Sequence, residues 1–495
     1  METTGMQKSS VSRRNVVKGG LGLVAAGGIV QVARAQEGTP GTDGYEATPA
    51  STETASTPMA LEPGEMTAKR SFLITMDNAT LEITPIITAG ETVADYQMAG
   101  VPDGLGAYRD GDDVVLFMNH ELTPSDDENA SFARVSRLVL DGTTGAVKSG
   151  TYALDGTEGY ERLCSASLAG PAEGFNTPVF MTGEESTSGE FGGISLAIDG
   201  ATSEVTQLPW LGHISHENEI VVPGFDGKTV VVTTDDDSKG SELYLYIADS
   251  PTDLLAGNGQ LYVFKADTGT NTGDIKKGDD LTGSFVPVDQ GDNPDQPTLE
   301  EAVKGMGAFN FVRLEDVTYD RNNTTTIYFA DTGDDAEPNL DSSGQPYTKN
   351  GRIYTMTLDP SDPTKVTLFS VLLDGDAGDD IKNPDNVDAS KTTLMICEDR
   401  NGYNRAENSD DTGRIHAYDF ASGELTAIAK IDQSDGSGVL DEGDKAGSWE
   451  SSGILNVSDL FGDGVWLVDV QAHSVKVAQF GTEDESGQLL MLRQK

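Results

Sequence analysis

Five strand-like segments of this 495-residue chain each end in a cluster of acidic side chains. They are VVLFMNHE ending at Glu121, PVFMTGEE ending at Glu185, TVVVTTDDD ending at Asp237, TIYFADTGDD ending at Asp335 and TLMICED ending at Asp399. Carboxylates held together away from water repel one another unless cations or protons neutralise them. Hard cations such as calcium take about six to eight oxygen ligands. The clusters therefore predict a site for several metal ions.

Neighbouring acids at one strand end cannot all face the same site, because successive side chains of a strand point to opposite faces. Of Glu184 and Glu185 we expect one metal ligand, and we select Glu185. Glu398 and Asp399 are candidates for calcium, with a solvated loop as the alternative, and we select Glu398.

The same alternation applies to two histidine-glutamate pairs. His120 precedes Glu121, and His216 precedes Glu217. We expect the two glutamates to face the metal site and the two histidines to pack within the protein or to support the ligands.

The elements that carry these residues are short strands. From residue 70 onward, segments rich in β-branched and aromatic residues alternate with Gly, Asp, Asn and Pro. Glycine-led strands follow four of the acid clusters, at Gly193, Gly259, Gly351 and Gly413. Mostly-β units of about 60–90 residues fit the blades of a β-propeller with loop insertions. A β-sandwich is the alternative, but blades bring equivalent strand ends to one central channel, which favours the propeller.

The composition limits the possible partners. The chain has 82 acidic and 33 basic residues, a formal charge of −49. Nucleic acid and anionic membrane surfaces are excluded as partners by this charge. Metal ligands account for only part of the acidic surplus; the rest is a solvated surface, as in proteins from salty habitats.

The N-terminus predicts export. Residues 12–18 (SRRNVVK) form a twin-arginine motif, which is followed by a mild apolar stretch at 19–32 and a small-x-small cleavage site at 33–35. The apolar stretch is too short for a good membrane span, so no integral span is expected after cleavage; a retained N-terminal anchor is the alternative. We assign residues 1–36 to a signal peptide and 37–66 to a disordered Thr/Pro/Ser-rich linker. Residues 67–495 form a single catalytic propeller, placed in the periplasm, at the cell surface or outside the cell.

The two cysteines leave three possibilities open. In an exported protein Cys164 and Cys397 form one disulfide or remain two buried thiols. Cys397 lies in an apolar run that suits an inert core position. Cys164 lies in a small-residue segment, where its thiolate is a possible ligand for a soft or borderline metal.

Taken in order, the motifs resemble the PhoX-type alkaline phosphatases. The resemblance covers about residues 100–475 and is carried by PDGLGAY, NHE, LCSASL, TGEE, GHISHEN, TTDDD, GQLYVFKAD, FVRLEDVTYD, NPDNV, WESSGI and VDVQAH. It implies a six-bladed propeller with Fe3+ and Ca2+ at the channel mouth and a phosphomonoester substrate hydrolysed without a nucleophilic serine. Twin-arginine export, through its own machinery, suits iron that is loaded in the cytoplasm.

The resemblance also implies roles for individual residues. Cys164 would bind iron. Iron or calcium ligands would come from Glu121, Glu217, Glu315, Glu450 and, in the aspartate run, Asp235. Arg313 and Asn119 would hold the phosphate. The chain departs from longer members between Cys164 and Glu184, where it lacks their tryptophan-containing stretch and offers no basic residue.

The implied chemistry uses a metal-bridging oxide or hydroxide as the nucleophile, because cations lower the pKa of bound water. Phosphoryl transfer then needs positioning and charge neutralisation, for which a planar guanidinium such as that of Arg313 is suited. The alternative for Arg313 is an ion pair with Glu315 and Asp316, and for Asn119 it is a turn cap.

Two other functions fit the same pattern. One is a calcium-dependent lactonase or other esterase on the same scaffold, against which a cysteine ligand and iron would argue. The other is a non-catalytic, calcium-stabilised propeller that binds a surface partner.

Overall fold

The computed structural model describes residues 59–495 except residues 78, 125–130, 292, 337, 401–411 and 435–445. The predicted signal peptide and residues 37–58 of the predicted linker lie outside the described residues. Residues 60 and 61 of that linker form a short strand, so regular structure is present before the predicted boundary at residue 67.

Strands dominate the described residues, in agreement with the all-β prediction. Five precede the blades: β1 (Ala60–Leu61), β2 (Leu73–Thr75), β3 (Leu81–Thr88), β4 (Thr92–Val93) and β5 (Tyr96–Gln97). Blade 1 contains β6 (Pro102–Asp110), β7 (Asp113–His120), β8 (Arg134–Asp141) and β9 (Val147–Leu154). Blade 2 contains β10 (Leu163–Ala169), β11 (Val179–Glu184), β12 (Ser195–Asp199) and β13 (Val205–Gln207). Blade 3 contains β14 (His216–Val222), β15 (Thr229–Asp235), β16 (Leu243–Ala248), β17 (Gly259–Ala266) and β18 (Leu281–Pro287).

Blade 4 contains β19 (Leu314–Tyr319), β20 (Thr326–Asp331), β21 (Arg352–Asp359) and β22 (Asp362–Asp374). Blade 5 contains β23 (Pro384–Ala389), β24 (Thr393–Glu398), β25 (Arg414–Asp419) and β26 (Leu425–Ile431). Blade 6 contains β27 (Glu450–Asn456), β28 (Val465–Gln479) and β29 (Thr482–Gln494). Within each blade, neighbouring strands are antiparallel. The N-terminal strands close the propeller, because β3 pairs with β29 and β2 with β26. Blades 3 and 4 are joined at their rims, where β18 pairs with β22.

The helices are short and lie between strands. They are α1 (Pro251–Leu255), α2 (Gln296–Met306), α3 (Ser458–Phe461) and three 3-10 turns at Pro171–Glu173, Pro209–Leu211 and Thr272–Asp274. The longest, α2, begins where the Asp295 side chain accepts a hydrogen bond from the Thr298 amide and ends at Gly307, whose φ is 76°.

The core is divided into six apolar layers, each between two adjacent blades. Examples are Phe117 with Phe180 between blades 1 and 2, and Phe264 with Phe329 between blades 3 and 4. Equivalent layers separate the other four pairs, including blades 6 and 1. Because both faces of a blade are covered, its strands are apolar runs, such as the fully buried β15. This closed circle of layers confirms the propeller and excludes the sandwich.

The acid-ended segments occupy one structural position. They become β7, β11, β15, β20 and β24, the second strands of blades 1 to 5. The glycine-led strands are less uniform than predicted: those at Gly193, Gly351 and Gly413 become third strands, whereas that at Gly259 becomes the fourth, because β16 lies in between.

Candidate metal centre

The innermost strand of every blade contains a β-bulge near its start. In blade 2, for example, Leu163 pairs with Glu184 but Ala166 pairs with Thr182, which leaves one extra residue on β10. The same irregularity occurs in the innermost strands of the other five blades. In blades 1 to 5 the second residue of the innermost strand opens the bulge, and this residue is Asp103, Cys164, Glu217, Glu315 or Asp385. Bulges re-aim side chains beside functional sites, and here they repeat around the channel.

In blades 1, 2, 3 and 5 the second strand is followed directly by another acid, whereas blade 4 has Thr332 at that position. The backbone amides of Glu121, Glu185, Asp236 and Asp399 each donate to the carbonyl of the residue that precedes the innermost strand of the same blade, at 2.9–3.0 Å. This repeated hydrogen bond fixes the strand end next to the bulge. Blades 1, 3 and 5 therefore each bring two acidic side chains to one end of the channel, and blade 2 brings Cys164 and Glu185.

Eight of these side chains, together with Glu450 at the start of β27, form what we call the acidic arc: Asp103, Glu121, Cys164, Glu185, Glu217, Glu315, Asp385, Asp399 and Glu450. They make four overlapping groups in which the donor atoms lie within 4.8 Å of one another. Cys164, Glu217 and Asp385 are each shared by two groups, so the groups connect, and all six blades contribute. Such spacing can hold several metal ions.

The electrostatics of the arc require neutralisation. Burial, then the neighbouring Glu121, raises the pKa of Asp103 to about 7. Burial raises the pKa of Glu185 to about 8, although Arg162 and Arg313 oppose the shift. Burial and the adjacent Glu315 raise the pKa of Glu217 well above its usual value. Without cations these carboxyls would retain protons near neutral pH.

The donor set fits metal ions. Among the described residues, Glu217 Oε1 and Asp236 Oδ1 are buried and accept no hydrogen bond. A buried oxygen without a donor is costly unless a cation or proton occupies the space beside it. Carboxylate oxygens suit Ca2+, and carboxylates with a thiolate suit iron. Burial, then Asp103, raises the pKa of the Cys164 thiol, so a nearby cation would be needed to hold it as a thiolate.

Two arginines border the arc. Arg313 Nη2 lies 2.7 Å from Asp236 Oδ2 and 3.0 Å from Glu315 Oε1. Arg162 Nη2 lies 2.8 Å from both Glu121 Oε1 and Glu185 Oε2. Both arginines line an open cleft of about 750 Å³, whose wall includes Glu185, Asp236 and Asp399. The cleft gives a small anionic substrate access to the arc.

Most predicted metal ligands lie in the acidic arc, and two do not. Glu121, Cys164, Glu185, Glu217, Glu315 and Glu450 are in the arc. Asp235 and Glu398 are the last residues of β15 and β24 and face into their blades. Asp235 Oδ1 accepts a hydrogen bond from the Ser215 amide at 3.1 Å. Glu398 contacts Arg414 and His416, whose hydrogen bonds outweigh the effect of burial and hold its pKa below the usual value.

In blades 3 and 5 the residue after the predicted ligand, Asp236 or Asp399, lies at the position where the ligand was expected. Asp399 belongs to the arc, and Asp236 contacts Arg313. The two predicted ligands Asp235 and Glu398 thus lie outside the acidic arc, and the residue after each of them lies at the arc or at its bordering arginine. Asp103 and Asp385 also belong to the arc but were not among the predicted ligands, although both lie in motifs of the family resemblance, PDGLGAY and NPDNV.

Asn119 lies behind the arc. It is fully buried, and its Nδ2 donates to the Cys164 carbonyl at 2.6 Å and to Thr182 Oγ1 at 2.7 Å. These bonds connect blade 1 with the innermost strand of blade 2. The side chain therefore positions the backbone of Cys164, which differs from both the phosphate contact and the turn cap considered for it.

The two histidines that precede Glu121 and Glu217 pack within the protein, as predicted. His120 contacts the Gly100 carbonyl and Ser136, and His216 Nδ1 lies 2.7 Å from Glu219 Oε1. Both histidines are buried within blades, and burial lowers the pKa of His120 to about 3. Cys164 and Cys397 are free thiols, so the disulfide alternative is wrong, and Cys397 is fully buried.

Comparison with known proteins decides the family. The family model described as Alkaline phosphatase PhoX matches residues 193–450, which is more than half of the chain. The chain belongs to the PhoX alkaline phosphatase family. Membership makes it a phosphoric monoester hydrolase, in agreement with the resemblance seen in the motifs.

One solved structure supports the fold independently. The structure of Pseudomonas fluorescens PhoX in complex with vanadate, a transition state analogue, is 14% identical and has a TM-score of 0.59. The match covers 87% of this chain and 97% of that chain. A GH43_1 enzyme from Xanthomonas citri complexed with xylotriose matches at 10% identity over 83% of this chain and 90% of that chain, with a TM-score of only 0.34. No curated protein matches the chain significantly. None of the helices in the described residues has the length and apolarity that a membrane crossing requires.

Proposed function

We propose that this PhoX family member is an exported, metal-dependent phosphomonoesterase whose acidic arc holds ferric iron and calcium. The observation that carries the proposal is the set of four connected ligand groups, with a thiol among the carboxylates and an arginine at the adjoining cleft. A non-catalytic propeller has no need of a cleft that leads to these groups. A calcium-only lactonase has no need of Cys164.

The cations fit the residues present. Cys164 lies in the two groups that contain Asp103, Glu121, Glu185 and Glu217, so this side of the arc suits iron. The groups around Asp385 contain only carboxylates, which suits calcium. The chemistry that the cations would supply when bound is activation of a water molecule as the nucleophile and polarisation of the phosphoryl group.

The chain's own residues bind and orient the substrate. Arg313 presents a planar guanidinium at the cleft, held in place by Asp236 and Glu315, and is proposed to donate to the phosphate oxygens. The ion pair that the sequence analysis weighed against this role is present, and it orients the donor. Asn119 is proposed to act indirectly, by holding the Cys164 carbonyl. Water attacks phosphorus, the ester P–O bond breaks, and phosphate and an alcohol leave.

Export through the twin-arginine machinery is part of the proposal. The motif SRRNVVK at residues 12–18 supports it, and a folded, iron-loaded propeller requires a route that carries folded cargo. Replacing Arg13 and Arg14 by lysine should retain the protein in the cytoplasm. Fractionation of the producing cells measures this.

The decisive test combines metal analysis of the purified protein with a p-nitrophenyl phosphate assay before and after calcium chelation. Iron and calcium together, with hydrolysis that the chelator abolishes and calcium restores, are the expected result. Calcium without iron, and no release of phosphate, would contradict the proposal and favour a lactonase-like or purely binding propeller.

A further inference from the structure

One guanidinium nitrogen of Arg162, Nη1, is not used to contact the carboxylates of the acidic arc. Its Nε and Nη2 donate to Glu121 Oε1 at 3.0 and 2.8 Å, and Nη2 also lies 2.8 Å from Glu185 Oε2. Nη1 donates no hydrogen bond to any part of the chain that the structure describes. The side chain is 43% exposed, compared with 11% for Glu121 and 6% for Glu185. Two nitrogens are thus committed to the arc, and the third remains for a ligand.

Its position mirrors that of Arg313. Each is the residue directly before an innermost strand, each has a positive φ (52° and 60°), and each bridges two carboxylates. Both line the same cleft, together with Glu185. Guanidinium groups that approach one anion from two sides are suited to a tetrahedral phosphate.

The charge of the cleft wall also favours a phosphate contact by both arginines. The cleft wall contains Glu161, Glu185, Asp236, Asp237 and Asp399, and its cationic side chains are Arg162 and Arg313. A phosphate dianion that enters this cleft needs cationic donors to offset the repulsion of the carboxylates that the metals do not bind. Arg162 contributes its positive charge to this wall while only two of its three guanidinium nitrogens contact Glu121 and Glu185.

We propose that Arg162 is a second phosphate-contacting residue, which donates from Nη1 to the phosphoryl group while Nε and Nη2 hold Glu121 and Glu185. The proposal rests on the phosphatase function proposed above and adds a residue that the sequence motifs did not indicate. Arg162 and Arg313 then flank the phosphate from blades 2 and 4.

The test measures binding of inorganic phosphate to the full-length holoenzyme by calorimetry, together with KM and kcat for p-nitrophenyl phosphate. The variants are Arg162→Met and Arg162→Lys, and the matched control is Arg137→Met. Arg137 lies in β8 and contacts the Gly200 carbonyl and the Phe117 ring, away from both the arc and the cleft. Iron and calcium content is determined for every sample.

Arg162→Met should weaken phosphate binding and raise KM by about 10- to 100-fold, the usual effect of losing a charge-assisted hydrogen bond. Its metal content should remain that of the wild type. The phosphate affinity and KM of Arg162→Lys should lie between those of the wild type and of Arg162→Met. Both values should be unchanged in Arg137→Met. Unchanged phosphate affinity, or a loss of metal that parallels the loss of activity, would overturn the proposal. A wild-type protein that binds phosphate but hydrolyses no ester would contradict the proposed function while leaving the role of Arg162 measurable.

Discussion

Arg162 and Arg313 occupy the same position in blades 2 and 4, directly before the innermost strand and in the left-handed backbone region. Val101 and Asn383 take this conformation at the equivalent positions of blades 1 and 5. The carbonyl of Arg162 accepts the Glu185 amide, and that of Arg313 accepts the Thr332 amide. A positive φ at a residue other than glycine is costly and persists where surrounding contacts enforce it, often at functional sites. The same backbone conformation therefore supports the acidic arc in blades 1, 2, 4 and 5.

Replacement of Arg313 by alanine should abolish hydrolysis without loss of metal. The guanidinium is the proposed phosphate donor, whereas Asp236 and Glu315 would remain in place to bind cations. We expect kcat/KM to fall at least about 100-fold, equivalent to about 2.7 kcal/mol. Kinetics and metal analysis on the same sample provide the measurement. Turnover equal to that of the wild type would remove Arg313 from the phosphate site.

Replacement of Cys164 by serine should remove iron, because the thiol belongs to two ligand groups. The variant should lose the visible absorption of a thiolate–iron bond, most of its iron and its activity. Cys397→Ala is the matched control, since Cys397 is fully buried in the layer between blades 5 and 6 and lies outside the ligand groups. Equal iron content in the Cys164 variant and this control would show that the thiol is no ligand.

The sequence could predict the architecture because each blade repeats a pattern that the chain displays locally. The alternation of apolar strands with turns predicted the propeller, and the acid-ended segments predicted the second strands. It could not decide which acid of a pair faces the channel. That choice depends on where the strand ends: Glu398 is the last paired residue of β24, whereas Asp399 lies one residue beyond it.

The roles of other residues depend on contacts between segments distant in sequence, which local sequence patterns do not reveal. Arg162 directly precedes the LCSASL motif, but its ion pair with Glu121, 41 residues away, is visible only in the folded chain. Asp103 opens a bulge whose existence depends on the register of β6 with β7. Asn119 was selected for a phosphate role, but the bonds that it makes cross to blade 2, and only the packed structure shows them.

Asp399→Asn and Glu398→Gln should have opposite effects, although the two residues are adjacent. Asp399 lies in a ligand group with Asp385 and Glu450, so its variant should lose calcium affinity with little change in folding. Glu398 is buried and paired with Arg414 and His416, so its variant should destabilise blade 5 by about 3 kcal/mol and retain the metals. Calcium titration and urea denaturation of both variants distinguish these outcomes. Calcium loss in Glu398→Gln alone would restore the original assignment of that residue.

Removal of the metals should make stability fall as pH rises. The pKa of Glu185 is about 8 in the folded protein against an ordinary value of 4.5, and that of Asp103 is about 7 against 3.8. Because the folded state holds these protons more tightly than the unfolded state, it gains stability at low pH and loses it as the carboxyls ionise. The loss should therefore begin above about pH 4 and be complete above about pH 8.

Urea denaturation of the chelator-treated protein between pH 5 and 8 measures this loss, at about 1.4 kcal/mol per unit of pKa shift. Calcium should restore the stability at pH 8 far more than at pH 5, since cations replace the missing protons only where the carboxylates are ionised. Glu185→Gln is the matched variant: its metal-free form should lose less stability over the same range, because one buried ionisation is absent. Metal-free protein whose stability rises toward pH 8 would show that the arc carries no unfavourable charge.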